Sequence, residues 1–233
     1  MNQAGRVGMM RGGAKMPTAR DYVQDGLIAM WDGIENAGWG VHDANATTWI
    51  CLVDDRFNLA LGESALVKSN NILLTSGSIT LPQEFTLPSY GLTVEVCHNP
   101  SVANFFLFNA GSDAYQTPKI KTVKVGDDYL FANSYFAHLA GNPGRRNLSS
   151  KVLLEPVTNS FVGTVMYSLT QYNNGRSADD MENTQGWGYG GQSKRIGGTY
   201  SGELFCVRAY NRALAAAEIA VNCAVDKARF NLP

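Results

Sequence analysis

The stretch from Gly197 to Ile219 constrains this chain most. Gly197-Gly198-Thr199-Tyr200-Ser201-Gly202 is a glycine-punctuated turn that leads into an apolar strand, Glu203 to Tyr210. The polar pair Asn211-Arg212 ends the strand, and a run of strong helix formers follows at once. The spacing predicts one helix over Ala215–Ala228. Val221, Val225 and Ala217, and likewise Ile219 and Cys223, fall at i, i+4 and predict its packed side. Upstream, short segments suited to strands recur: Leu27–Trp31, Trp49–Val53, Ser78–Leu81, Tyr90–Cys97, Asn104–Asn109, Tyr129–Phe136, Lys151–Leu154 and Phe161–Leu169. In Tyr90–Cys97, Leu92, Val94 and Val96 face one side and Thr93, Glu95 and Cys97 the other. Turn signals separate them at Gly111-Ser112-Asp113, Gly126-Asp127-Asp128 and Gly141-Asn142-Pro143-Gly144. Asn173-Asn174-Gly175-Arg176 is a hairpin signal, because Asn-Gly accepts the positive φ of a type I′ turn. About ten to twelve strands at this spacing predict an all-β sandwich or jelly roll. Charged residues are 17% of the chain and glycines number 24, which suits many strands joined by tight turns.

The motif G-x-L-F-x-V-R-x-Y-N-R-A-L-x-x-x-E-I, carried by Gly202–Ile219, resembles the closing strand and helix of the LamG-like jelly rolls of the concanavalin A-like lectin/glucanase superfamily. Arg208, Tyr210, Asn211, Arg212, Leu214, Glu218 and Ile219 stand at the family's spacing. Asp25-Gly26-Leu27 with Trp31-Asp32-Gly33 resembles the family's opening, D-G-L-x-x-x-W-D-G. Leu92-Thr93-Val94-Glu95 is similar to its F-T-I-E-x-W strand, and Tyr172-Asn173-Asn174-Gly175 to its Y-x-N-G hairpin. Trp49–Leu59 lies where the family writes W-x-D-L-x-G-N-x-x-x-L. The resemblance implies a concanavalin A-like jelly-roll sandwich of two antiparallel sheets with one C-terminal helix. It also implies that Leu27–Trp31 pairs near the last strand. One departure is Ala215, where the family places Ser or Thr to cap the helix opposite Glu218, and a weaker helix start is expected.

The superfamily includes glucanases, but the residues argue against catalysis. Retaining glycoside hydrolysis needs two carboxylates about 5 Å apart, and no E-x-D-x-E-like strand occurs. Asp179-Asp180-Met181-Glu182 reads as a solvated loop, and Glu95 stands alone on its strand. His42, His98 and His138 have no partners at triad spacing, and Gly186–Gly191 lacks the Lys-Ser/Thr of a phosphate loop. Many LamG-like modules hold Ca2+ at the sandwich rim, which makes Asp54, Asp55, Asp127 and Asp128 candidate ligands by type. Solvent-facing turn residues are the alternative reading of all four. Glycan binding would use aromatics beside hydrogen-bonding groups, and Trp187, Tyr189, Trp39, Tyr172, Asn174 and Arg176 are the candidates. Core or rim packing is the alternative for each aromatic.

Residues 1–20 are a different kind of sequence from 21–233. They hold four basic residues, no acid and no periodicity, and read either as a flexible tail or as an anchoring arm that orders on a partner. In the second reading Arg6, Met9, Met10, Arg11 and Lys15 make the contacts. No apolar run follows the basic residues, so the segment is not read as a secretory signal. A net charge of -1 gives no argument for nucleic acid or membrane surfaces. Cys51, Cys97, Cys206 and Cys223 each stand among apolar residues and read as buried free thiols, with a Cys206–Cys223 disulfide conceivable if the helix returns beside the last strand.

Tyr22–Gly33 also resembles LamG-type proteins of gut bacteria and their phages. The expectation is a non-catalytic, homo-oligomeric phage fibre or decoration protein. It would be assembled in the bacterial cytoplasm, bound to other virion proteins through the arm and able to bind surface glycans. A secreted or cell-surface lectin is the alternative.

Overall fold

The computed structural model describes the backbone of residues 15–88, 91–101, 106–109, 119–125, 128–139, 142–151, 157–163, 169–177 and 194–233. Side chains are described for 15–88, 91–101, 157–162, 172–176, 194–198 and 200–233. The described strands, in chain order, are β1 (Leu27–Asp32), β2 (Thr48–Trp49), β3 (Leu59–Ala60), β4 (Ala65–Val67), β5 (Ile72–Thr80), β6 (Leu92–Pro100), β7 (Phe106–Asn109), β8 (Lys119–Val125), β9 (Asp128–Leu139), β10 (Asn142–Lys151), β11 (Val157–Gly163), β12 (Leu169–Asn173), β13 (Arg176–Ser177) and β14 (Arg195–Tyr210). The helix α1 (Ala216–Phe230) follows. The result is an all-β sandwich with a C-terminal helix, and all the pairings among the described residues are antiparallel.

β14 joins the sandwich together. Its first half pairs with β5 and touches β7, while its second half lies between β1 and β6. Counted by hydrogen bonds, therefore, 12 of the described strands form one continuous sheet, and among the described residues only β2–β3 stands apart. Gly202 makes the mid-strand crossing possible. Its φ is +143°, and a Cβ there would lie 2.3 Å from the Asn99 carbonyl oxygen. Further on, the two steps Leu204 to Cys206 answer the single step His98 to Cys97 on β6. That bulge turns both Phe205 and Cys206 toward the helix side.

Two cores lie on opposite faces of this sheet. The inner one gathers Trp31, Trp49, Leu59, Phe85, Val94, Val96 and Phe161. Each buried indole spends its N–H on a carbonyl, Trp31 on Phe57 and Trp49 on Asp32, both at 2.9 Å. On the other face α1 covers Tyr22, Met30, Cys97, Phe205 and Cys206.

Several expectations shift. The helix packs through Ile219, Asn222, Cys223, Val225, Asp226, Arg229 and Phe230, while Val221 is exposed and Ala217 faces outward. Ile219, Cys223 and Val225 pack as expected, but three of the seven packed residues, Asn222, Asp226 and Arg229, are polar because the sheet beneath carries charge, and apolar spacing alone misplaces Val221 and Ala217. Asn142–Gly144 open strand β10 instead of forming a turn; Lys151 closes that strand, and the rest of the expected strand Lys151–Leu154 lies outside the described residues. Within Trp49–Val53 only Trp49, the end of β2, is strand, with Cys51 making a single bridge to Trp31. All four thiols are free and buried, so the Cys206–Cys223 disulfide is absent. Packing begins before Asp21: Thr18 caps a 3₁₀ turn over Ala19–Asp21, and Ala19 is fully buried. The hairpin is as expected, with Asn174 and Gly175 at φ 49° and 77°. At the helix start Ala215 offers no cap, yet the Glu218 carboxylate accepts its N–H at 2.8 Å, which is half a capping box.

Candidate functional site

Two polar constellations stand out, one sealed and one open. The sealed one lies under α1. Arg208 on β14 donates two hydrogen bonds to Asp226, at 2.6 and 2.7 Å, and one to Glu95 on β6 at 2.9 Å. Glu95 also accepts from Ser160 and Asn222, and Asp226 from Tyr22 and Thr158. The Arg208 guanidinium lies 4.1 Å from the Tyr22 ring centroid. All three charged side chains are fully buried. Burial raises the Glu95 carboxyl above its usual range against the pull of Arg208. Burial works against the charge of Arg208 too, but Asp226 and Glu95 outweigh it and hold the guanidinium firmly protonated. Glu95 is thus not alone, as its strand suggested: its partner comes from the adjacent strand. The cluster also clasps the chain ends. Val23 N–H donates to Asn222, and Arg229 reaches the Pro17 carbonyl, Glu35 and Asp32.

The open constellation is a polar row on the inner face. Opposed residues in an antiparallel pair share a face, and Val96 opposes Asn159, Asn159 opposes Asn173, and Asn173 opposes Arg176. His98 lies one inward-facing position along from Val96. Asn159 Oδ1 accepts from His98 Nε2 at 2.7 Å, and Asn159 Nδ2 donates to Asn173 Oδ1 at 2.7 Å. An amide oxygen only accepts, so Nε2 carries the imidazole proton and Nδ1 faces the Tyr200 hydroxyl at 3.3 Å. Burial pushes His98 down to about 4, which keeps it neutral. Exposure rises along the row: His98 and Asn159 are buried, Asn173 is half-buried, and Arg176 is exposed on β13, where the sheet path ends. Such a row presents to solvent a half-buried amide, Asn173, and an exposed guanidinium, Arg176, braced from behind by the buried Asn159 and His98. It is suited to a polyhydroxylated ligand, with or without an acidic group.

The expected site residues scatter. Arg176 belongs to the row. Tyr172 points the other way and packs under the helix with Val162, Tyr210, Leu214 and Ile219. Asn174 shapes the turn, exchanging bonds with the Thr158 backbone at 2.9 Å. Trp39 is half-buried against the helix-side core, with the Arg20 guanidinium 4.3 Å from its ring centroid. Trp187 and Tyr189 lie outside the described residues, as do Arg6, Met9, Met10 and Arg11. Lys15 is exposed. Asp54 caps a 3₁₀ turn over Asp55–Phe57, and both its carboxylate oxygens are held by Arg56. Arg56 therefore occupies the Asp54 oxygens that a cation would need. Asp127 and the Asp128 side chain lie outside the described residues. Among the described residues, no group of three His, Cys, Asp or Glu is placed to hold a metal ion.

Sequence reasoning missed His98, Asn159 and Asn173. The signal was present: Asn159 interrupts the inward register of Val157 and Phe161, as His98 does after Val94 and Val96.

No family model and no curated protein sequence matches this chain. Its fold is similar to that of a Trypanosoma rangeli sialidase solved with sialic acid. The TM-score is 0.53 at 17% identity, over 91% of this chain and 34% of that one. It is also similar to the binding domain of botulinum neurotoxin DC in complex with rat synaptotagmin II, with a TM-score of 0.55 at 10% identity, over 87% and 52%. Botulinum neurotoxin type C, whose passage into cells depends upon interaction with two ganglioside molecules, gives the same values. The chain thus spans about a third of the sialidase and half of the toxin chains. At these identities the likeness establishes the β-sandwich, jelly-roll-like fold.

Proposed function

We propose that this chain is a non-catalytic, LamG-like glycan-binding module. In this reading it takes its ligand at the inner-face row ending on β13 and is held in a phage virion, as a homo-oligomeric fibre or decoration protein, by residues 1–20. The observation that carries the binding claim is the row itself: hydrogen-bonded amides crossing from a buried histidine to an exposed arginine, where an all-apolar face would pack more simply. His98 and Asn159 each interrupt an otherwise apolar inward register. A buried polar row in a sheet costs stability unless it is fully satisfied, and it is retained where its orientation is used.

The fold supports the reading, because similar sandwiches occur in proteins solved with sialic acid or engaging gangliosides. The sealed cluster supports the non-catalytic part. Glu95 and Asp226 both bond Arg208 and are fully buried, so neither reaches a substrate. The arm's basic, methionine-bearing composition supports anchoring. In the test, a protein lacking residues 2–14 is compared with the intact chain on a glycan array and in assembly with its virion. Glycan binding is expected to survive and incorporation to fail. Undiminished incorporation would remove the anchoring role, and secretion of the native protein would favour the free lectin.

A further inference from the structure

Cys97 and Cys206 are direct partners across β6 and β14. The bulge at Phe205 places both on the helix side, where Tyr22, Val225 and Phe230 belong to the same cluster. Both are fully buried and reduced. Directly opposed residues of an antiparallel pair carry Cβ atoms about 4.5–5.5 Å apart, close to the ~3.5–4.5 Å of a disulfide. Cys206 Sγ also accepts from Arg208 Nη1 at 3.4 Å, and the pairing of two thiols places a covalent bond within reach.

We infer that Cys97 and Cys206 form a latent cross-strand disulfide site, closed to oxidants while α1 is docked and open when the helix lifts. The oxidant is a small-molecule disulfide such as oxidised glutathione. The thiolate of one cysteine attacks it, forming a mixed disulfide and releasing one glutathione thiol. The second cysteine then displaces the other glutathione. One S–S bond forms in the protein and one breaks in the oxidant, two electrons pass from protein to oxidant, and the protons leave on the two released thiols. The native protein resists this on two counts. No oxidant reaches a fully buried sulfur, and burial holds both thiols well above their ordinary range, so little thiolate is present. Cys223, buried on α1 beside Gly175, is the competing thiol.

The bond would link strands far apart in sequence, so its formation should stabilise the fold. It would also record where the protein folded: a reducing compartment leaves the pair open, and an oxidising one closes it.

The test has two arms. First, reduced, denatured protein is refolded in oxidised glutathione and mapped by tryptic peptides. The expected product links the Cys97 and Cys206 peptides and melts roughly 5–10 °C higher than the reduced form. Linkage through Cys223 instead, or a linked product without native helix signal, would overturn the site. Second, the native protein is exposed to the same oxidant alongside Val225→Ala, which loosens the helix contact, and Ile79→Val, which loosens the opposite core. The linkage should be about tenfold faster in Val225→Ala and unchanged in Ile79→Val. Equal acceleration in both would mean that global unfolding admits the oxidant and would overturn the gating by the helix. Cys97→Ser and Cys206→Ser must each abolish the linked peptide.

Discussion

Replacing Arg208 by methionine tests the sealed cluster. The substitution keeps much of the side chain's volume and removes three hydrogen bonds to two fully buried carboxylates. Asp226 keeps Tyr22 and Thr158, and Glu95 keeps Ser160 and Asn222, but neither keeps a cation. Breaking one buried pair by removing a partner costs about 3–5 kcal/mol. Here one deletion strands two acids, so the upper end, about 5 kcal/mol, applies. For a domain of this size that is a fall of roughly 10–20 °C in melting temperature. Urea unfolding at constant m-value measures it. The pH dependence identifies the cause. Glu95 already binds its proton more tightly folded than unfolded, and losing Arg208 strengthens that preference. The variant's deficit is therefore full above the raised folded value and shrinks as the pH falls toward the ordinary carboxylate range. A loss under 1 kcal/mol, or a deficit independent of pH, would refute the reasoning, because it would mean that Arg208 contributes packing and not charge compensation.

His98 gives the opposite sign. Its folded value of about 4 lies below the ordinary 6.5, so its contribution is complete above pH 6.5 and is lost as pH falls toward 4. That loss is about 3 kcal/mol, and His98→Gln should flatten the stability profile in that window by the same amount. Ala215→Ser should raise stability by about 1 kcal/mol in thermal unfolding, since Glu218 already supplies the other half of the capping box. Gly175→Ala should lose about 1–2 kcal/mol, because φ is +77° and the new methyl would lie 3.4 Å from Ala220 Cα and Cys223 Cβ.

The frame of the fold was legible because its signals are local. The Asn174-Gly175 turn is written in two residues, and the face alternation of Leu92–Cys97 needs only the strand itself. The paired chain ends followed from the Gly202–Ile219 and Asp25–Gly33 motifs. What escaped were relations between elements. Glu95 looked solitary because Arg208 and Asp226 meet it only once β14 and α1 are folded against β6. The helix stripe was read only in part for the same reason: Ile219, Cys223 and Val225 follow from spacing, but Asn222 and Asp226 are buried by partners that no spacing rule contains. The inner-face row was half visible. Asn159 and His98 break apolar registers on separate strands, but their adjacency depends on the β6–β11 pairing.

The most direct measurement is a glycan array run in parallel with the intact protein and with Asn173→Ala/Arg176→Ala. The variant removes the exposed end of the row and, at Asn173, the acceptor of the buried Asn159 amide, so both proteins are compared below the melting temperature measured for each. The account predicts selective binding by the intact protein and a loss of about 10- to 100-fold in the variant, the effect of removing charge-assisted and amide hydrogen bonds. Binding that the variant retains in full, or no binding by a correctly folded intact protein, would contradict a glycan site on this face.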